Sequence, residues 1–337
     1  MNFILEDMPQ YKANLHCHSI LSDGRLSPEE LVEAYRDKGY SVLAITDHEA
    51  TYDHSHLSTQ DFLLLTGYEA YIRPTEQCRY NPFIPEIHLN LFAKVPHNTT
   101  FICYNPHSCK YMPHEIAETR QTAGPSGDRT YSVESINQFI RIAKENGYLV
   151  AYNHPCWSME AEEDILRYEG LFSLEIYNTG ATMENGFESN MALFDKLNRK
   201  GKFIYCHGAD DNHNKHPFDD IMNDSFGAWT MILAKDLTYG SVIDALEKGN
   251  FYASTGPTIH RITMENRFVE VKCSPARRIM CHLSPKRSYS VYNSDGSPIT
   301  QANFVIPEDV PFIYISVLAE DGTAARTRAF RPDEFEK

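Results

Sequence analysis

Short apolar runs alternate with amphipathic segments through the first three quarters of the chain. After a first apolar stretch that runs into His16-x-His18, strand-like runs fall at 41–45, 62–66, 87–92, 148–152, 171–177, 202–206 and 228–233. A well-marked helix lies between that first stretch and the run at 41–45. Ser27 can cap it, Pro28 suits its first position and Glu30 completes a capping box. Leu31, Val32 and Tyr35 supply an apolar face, and Gly39 can end it. Further helices are expected at 133–146, 183–200 and 239–248, with Gly147, Gly201 and Gly249 just beyond their ends. Strand–helix alternation predicts a parallel sheet or barrel, and about seven strands favour a closed barrel. Residues 71–130 break the rhythm. They are rich in Pro, Asn and His, and are expected to form an excursion over one end of the barrel, with a strand around His88 and another at 100–104. The stretch TAGPSGD at 122–128 reads as a mobile loop.

The period changes after GNFYASTGP at 249–257. Short alternating runs follow at 260–264, 268–273, 289–293, 302–306 and 312–318, and a turn is expected at Asp321-Gly322. The expectation is therefore an α/β protein: a seven-stranded (β/α) barrel over residues 1–256, then a small antiparallel, β-sandwich-like domain over 257–337.

Composition narrows the partners. With 337 residues and 42% hydrophobic content the chain can bury a sizeable core. Its 46 acidic and 31 basic residues give a net charge of -15, which argues against a broad basic face for nucleic acid. A small anionic substrate stays compatible, because bound cations would dominate the local field. The eight cysteines form no CxxC pair, no run is long enough to span a membrane, and MNFILEDMPQ has neither a basic leader nor an apolar signal core. A cytoplasmic protein with reduced cysteines is expected.

The chemistry clusters at strand ends. His16 and His18 close the first strand, with Asp23 in the next loop; two imidazoles one residue apart on a strand leave it on the same face. Asp47 and His48 follow the second strand, Glu69 the third, His88 lies in the fourth, His154 follows the fifth, and Asp211 and His213 follow the seventh. In a β/α barrel such ends converge on one face, where active sites lie. Histidine with carboxylate suits Zn, Mn or Fe better than a Ca or Mg cage.

The motifs HCH (16–18), SDG (22–24), TDH (46–48), Glu69, His88, His154 and DNH (211–213), in that order, resemble those of the PHP superfamily, the polymerase-and-histidinol-phosphatase type of metal hydrolase. The likeness covers about residues 10–256 and extends to ALEKGNFYASTGP, a closing motif of stand-alone members that often carry a small β domain. It implies a distorted seven-stranded β/α barrel with up to three divalent ions. His16, His18, Glu69 and Asp211 would hold the first. Glu69 would bridge to a second, held with His88 and His154. Asp23, His48 and His213 would hold the third. Asp210 would stand behind the ligands.

Three further residues are candidates near the reaction. Asp47 could accept from a ligand imidazole, Glu175 at the end of the sixth strand could be a general acid or a support, and His207 could shuttle protons. Each has an ordinary structural reading beside it. Within the excursion, Arg73, Arg79, Lys94, His107, Lys110, His114, Arg120 and Arg129 could read an anion, and Tyr80, Phe83, Tyr104 and Tyr111 could wall a substrate or simply pack. The expected activity is hydrolysis of a small phosphomonoester or phosphodiester by hydroxide held on the metals. The alternatives are a carboxyl ester or carbamate hydrolase at the same site, and a non-enzymatic ligand-binding module.

Overall fold

The computed structural model describes residues 2–5, 8–74, 81–187, 189–331 and 334. Arg79, Tyr80 and Cys78 lie outside them. The other seven cysteines form no disulfide, and no helix among the described residues is long and apolar enough to cross a membrane.

Seven strands lie side by side in the order Tyr205–Ala209, Ser173–Asn178, Tyr148–Tyr152, Ile87–Ala93, Leu63–Ile72, Val42–Ile45 and Gln10–Asn14. Neighbours run parallel except at Ile87–Ala93, which is antiparallel to both strands beside it. Leu63–Ile72 and Ile87–Ala93 are buried at every position. They read as unbroken apolar runs because both of their faces are covered. The first and last of the seven meet through a parallel bridge from Cys17 to Asn212. His18 N–H donates to the Asn212 carbonyl and Asp211 N–H to the His16 carbonyl.

Beyond Gln10–Asn14 the same sheet continues antiparallel through Trp229–Leu233, Phe251–Ser254, Ala324–Thr327, Tyr314–Leu318, Arg278–Ser284 and Arg287–Val291. A second, four-stranded sheet runs Asn2–Leu5, Ile259–Glu265, Phe268–Ala276, Ile299–Val305. Phe268–Ala276 alternates buried and exposed residues, the mark of a sheet with one wet face. The chain is thus α/β with a distinct β-rich C-terminal region. The expected boundary after residue 256 interrupts neither sheet. Phe251–Ser254 pairs with Ala324–Thr327 on one side, and Asn2–Leu5 returns to pair with Ile259–Glu265 on the other.

Local signals explain the helices. Ser27 and Glu30 form the capping box that starts Pro28–Asp37. The helix expected over 183–200 is two, Thr179–Asn185 and Met191–Arg199. Gly186 closes the first in the left-handed region at φ 75°, and Asn190 N–H then returns to the Ile176 carbonyl, docking the turn on the sheet.

The excursion is tethered where a mobile loop was expected. Arg129 reaches back under it and forms a bidentate ion pair with Glu49, the residue after His48. Its remaining N–H groups donate to the Tyr71, Ile102 and Cys103 carbonyls. The guanidinium is buried and fully occupied, so it has nothing left for a substrate. Arg129→Met should leave the Glu49 carboxylate buried and uncompensated, at a cost of about 3–5 kcal/mol. Urea denaturation should show this, and Glu49→Leu with Arg129→Met should recover part of the loss.

Candidate metal centre

The site is assembled by backbone pairing between strand ends. The Cys17–Asn212 bridge sets HCH beside DNH, and a second bridge from His48 to Glu69 sets TDH beside the end of the next strand. Glu49, His154 and Asp211 all have positive φ, at 47°, 26° and 55°. Such backbone costs about 1–3 kcal/mol per residue and persists where surrounding structure over-determines it. In the SDG turn, a Cβ at Gly24 would lie 2.3 Å from the His18 carbonyl oxygen, so only glycine lets the loop carrying Asp23 fold back on His18.

Glu69 is the hub. Its Oε1 lies 3.2 Å from His16 Nε2, 3.0 Å from His88 Nδ1 and 3.4 Å from His154 Nε2. Its Oε2 lies 2.8 Å from His48 Nδ1 and 3.5 Å from His18 Nε2. Asp211 Oδ1 is 3.0 Å from both His16 Nε2 and His18 Nε2. Asp23 stands on the outer side, 3.4 Å from His213 Nε2 and 3.8 Å from His48 Nε2. His18 stacks on His213, so it touches both the inner and the outer groups. Four overlapping sets of donor atoms each lie within 4.8 Å of one another: His18, Asp23, His48 and His213; His16, His18 and Glu69; His16, His154 and Asp211; His48, Glu69 and His88. His88 lies in its strand, as the sequence suggested, but near its start. Ile87–Ala93 is antiparallel, so it reaches the site with its beginning.

These atoms fit divalent cations better than they fit one another. Glu69 Oε2 and His48 Nδ1 approach to 2.8 Å, yet both are buried without an aligned hydrogen bond. His16 Nε2 and His18 Nε2 face each other at 3.2 Å. Donor atoms aimed at a shared centre, and not at partners, are what metal ligation requires.

Protonation tells the same story. Burial disfavours charge on His16, but Asp211, Glu69 and Glu175 raise it well above its usual range. Against burial, Glu69 and Glu86 lift His88 to about 10, and Asp23 lifts His213 to about 9. His18 falls to about 3 through burial and the neighbouring His213 and His48. Burial works against Glu69 too, yet His88, His16 and His48 hold it well below the ordinary carboxylate range. In the absence of metal, protons do the work of cations.

Supporting groups fix the ligands. Glu175 accepts from His16 Nδ1 at 3.0 Å, from the His154 backbone N–H and from Asn178, which also donates to Asp211. Asp210 points the other way. It accepts from Tyr35, Thr179 and the backbone N–H groups of Phe226, Gly227 and Ala228. Asp47 accepts from the Ser19 N–H and from the Ser19 and Ser22 hydroxyls, so it pins the turn between His18 and Asp23 where an imidazole had been expected. His207 lies fully buried, 3.9 Å from Glu175, with Nδ1 against Ser173; burial lowers it to about 4. Asp47, Glu175 and His207 are all absent from the cleft wall. Sequence reading missed Asn153, which donates to Glu69 at 2.7 Å, and Asn178. The adjacent Asn153-His154 pair was the available signal.

A cleft of about 390 Å³ opens over the donors and is walled by Tyr71, Tyr111, Trp157, Arg73, Lys110 and Lys215. This donor cluster, at one mouth of an α/β fold and under a polar cleft, could hold divalent cations, and its polar walls suit a small polar or anionic ligand. Residues 14–165 match the PHP domain family. The match spans a little under half of the chain. A 62-residue stretch is 44% identical to the 5'-3' exoribonuclease of Haemophilus influenzae, covering 17% of this chain and 23% of that protein. Another 44 residues are 50% identical to the DNA polymerase/3'-5' exonuclease PolX of Bacillus subtilis, covering 13% of this chain and 8% of that one. The chain therefore spans less than a quarter of either relative. Among solved structures, a Bacteroides vulgatus two-domain protein "containing predicted PHP-like metal-dependent phosphoesterase" aligns over 98% of both chains at 15% identity with a TM-score of 0.44.

Two outcomes are expected. Asp210→Ala should cost at least ~3 kcal/mol in denaturant unfolding, since it strands several buried donors; Asp211→Ala should instead lower bound metal, measured by elemental analysis, with little loss of fold. Ligation needs neutral imidazoles, so metal binding at pH 7 should release protons, and affinity should climb as pH rises toward 9–10. Calorimetry in buffers of different ionisation enthalpy reads that release.

Proposed function

We propose that this chain is a metal-dependent phosphoesterase acting on a small phosphomonoester or phosphodiester, with its donors carried at one mouth of a distorted seven-stranded barrel. The observation that carries the reading is the convergence of His16, His18, His48, His88 and His154 on the single buried carboxylate of Glu69, with Asp211 against His16 and His18 beside it. His16, His18, Glu69 and Asp211 would hold one divalent ion. Glu69, His88 and His154 would hold a second, and Asp23, His48 and His213 a third. Zn, Mn and Fe all suit such donors. Bound there, the ions supply Lewis acidity and an activated water.

The chain's own residues do the rest. Glu175 keeps His16 turned so that Nε2 faces the cluster. Asn153 and Asn178 hold the Glu69 and Asp211 carboxylates in place. Asp47 fixes the turn that delivers Asp23. Lys110 puts positive charge on the cleft wall, which favours a phosphate-bearing substrate over a carboxyl ester or carbamate, whereas Arg73 and Lys215 are paired with Glu86 and Glu184.

The test is a panel of one phosphomonoester, one phosphodiester and one carboxyl ester, assayed on protein stripped with chelator and reloaded with Mn, Zn or Fe. Phosphoester turnover should vanish on stripping and return on reloading. Asp211→Ala should lose at least ~100-fold, since even outer partners of metal ligands are worth 10–100-fold. Turnover of the carboxyl ester alone, or an unchanged rate in Asp211→Ala, would reject the assignment.

A further inference from the structure

His88 reaches the site differently from the other ligands. It is the second residue of the Ile87–Ala93 strand, which runs against its neighbours, so the residues leading into this strand also sit at the mouth. Glu86 precedes His88 by two positions, and i, i+2 spacing puts both side chains on one face. Glu86 Oε1 lies 3.1 Å from His88 Nε2, while His88 Nδ1 lies 3.0 Å from Glu69. Glu86 is itself buried. Its backbone N–H donates to the Ser158 carbonyl, and its Oε2 lies 2.9 Å from Arg73 Nε. The Arg73 guanidinium is in turn laid over the Tyr71 ring at 4.3 Å.

We infer that Glu86, held by Arg73, is a positioning residue for His88: it takes the Nε2 proton and so commits Nδ1 to the ion that Glu69 and His88 share. The arrangement mirrors Glu175 and His16 with the ring reversed. Glu175 takes the Nδ1 proton of His16 and leaves Nε2 for the cluster, whereas Glu86 does the opposite at His88. A neutral imidazole carries one proton, and whichever nitrogen holds it cannot ligate. Two carboxylates behind two different rings thus set two opposite tautomers, and both rings aim a bare nitrogen at Glu69. Arg73 Nε, 2.9 Å from Glu86 Oε2, holds the carboxylate in place beside His88.

The inference rests on the metal-centre part of the functional reading and is independent of which ester is cleaved. It is tested by metal titration, without substrate, on the full-length protein. Calorimetry and elemental analysis would compare wild type with Glu86→Ala, Glu86→Gln, Arg73→Met and His88→Ala, after circular dichroism has confirmed folding. Glu86→Ala should weaken one ion by 10–100-fold and leave the others at wild-type affinity. Glu86→Gln, which keeps an accepting oxygen, should recover part of that loss, and Arg73→Met should lie between wild type and Glu86→Ala. His88→Ala should lose the same ion more completely. In zinc-loaded protein, nitrogen NMR should report Nδ1 ligation for His88 and Nε2 ligation for His16.

Wild-type affinity for every ion in a folded Glu86→Ala would overturn the inference. So would Nε2 ligation of His88, or a loss in Glu86→Ala equal to that in His88→Ala, which would make Glu86 a ligand. A wild-type protein that binds its ions and shows these shifts but cleaves no phosphoester would reject the phosphoesterase assignment alone.

Discussion

The structure turns on one electrostatic demand. Three carboxylates and six imidazoles project into one mouth of the fold, mostly shielded from water. Several of their polar atoms face one another with no aligned hydrogen bond to share. A buried acceptor without a partner costs free energy, and a buried carboxylate without a counter-charge costs more. Only cations at the centre satisfy all of these atoms together. Without metal, protons are the substitute, which is why His16, His88 and His213 are raised while His18, crowded by His213 and His48, is lowered. The strained backbone at His154, Asp211 and Glu49 is a further cost of delivering the groups to one point.

Carboxylates in and around this mouth divide into two kinds. Glu69, Asp211 and Asp23 supply donor atoms to the cluster itself. Asp47, Glu175, Asp210 and Glu86 lie one step out and are each held by named donors or cations. Neighbours in sequence take opposite roles. Asp210 accepts from a tyrosine, a threonine and three backbone N–H groups, whereas Asp211, with its backbone turned to positive φ, faces the cluster. One peptide unit of backbone twist decides which carboxylate faces the cluster.

Much of the ligand pattern was legible because it is periodic: polar residues interrupt apolar runs at strand ends, and the H-x-H and D-x-H spacings place both members on one side. The strands were also largely legible, though displaced at the edges. The run expected at 202–206 is Tyr205–Ala209, because the following His207-Gly208-Ala209 continues the pairing with Ser173–Asn178. Arg278–Ser284 was missed because Met280 and His282 on its outer face blur the alternation with Ile279, Cys281 and Leu283, and Ala324–Thr327 has no bulky apolar residue to mark it. The reversed direction of Ile87–Ala93 leaves no local trace; it follows from the neighbours it pairs with. The supporting groups were hardest to read, since Asn178, Glu86 and Asp47 acquire their roles only from what the fold brings opposite them. Asp47 was expected against an imidazole and instead closes a serine turn.

The excursion shows how stability and site geometry meet. A Pro-, Asn- and His-rich stretch with a TAGPSGD segment would by composition be loose. It is instead held at its base by Arg129, whose five N–H donors are all consumed by Glu49 and three backbone carbonyls. Glu49 is joined through its own N–H to the Glu69 carbonyl and accepts from Tyr71 N–H. The tether therefore ends on the two residues whose neighbours and side chains form the centre: His48 beside Glu49, and Glu69 itself. Loosening the excursion cannot leave the ligands undisturbed, because the same carboxylate that anchors the cover also fixes the backbone from which His48 and Glu69 project. Burying so costly an ion pair makes physical sense where a cleft wall must be as rigid as the donors beneath it.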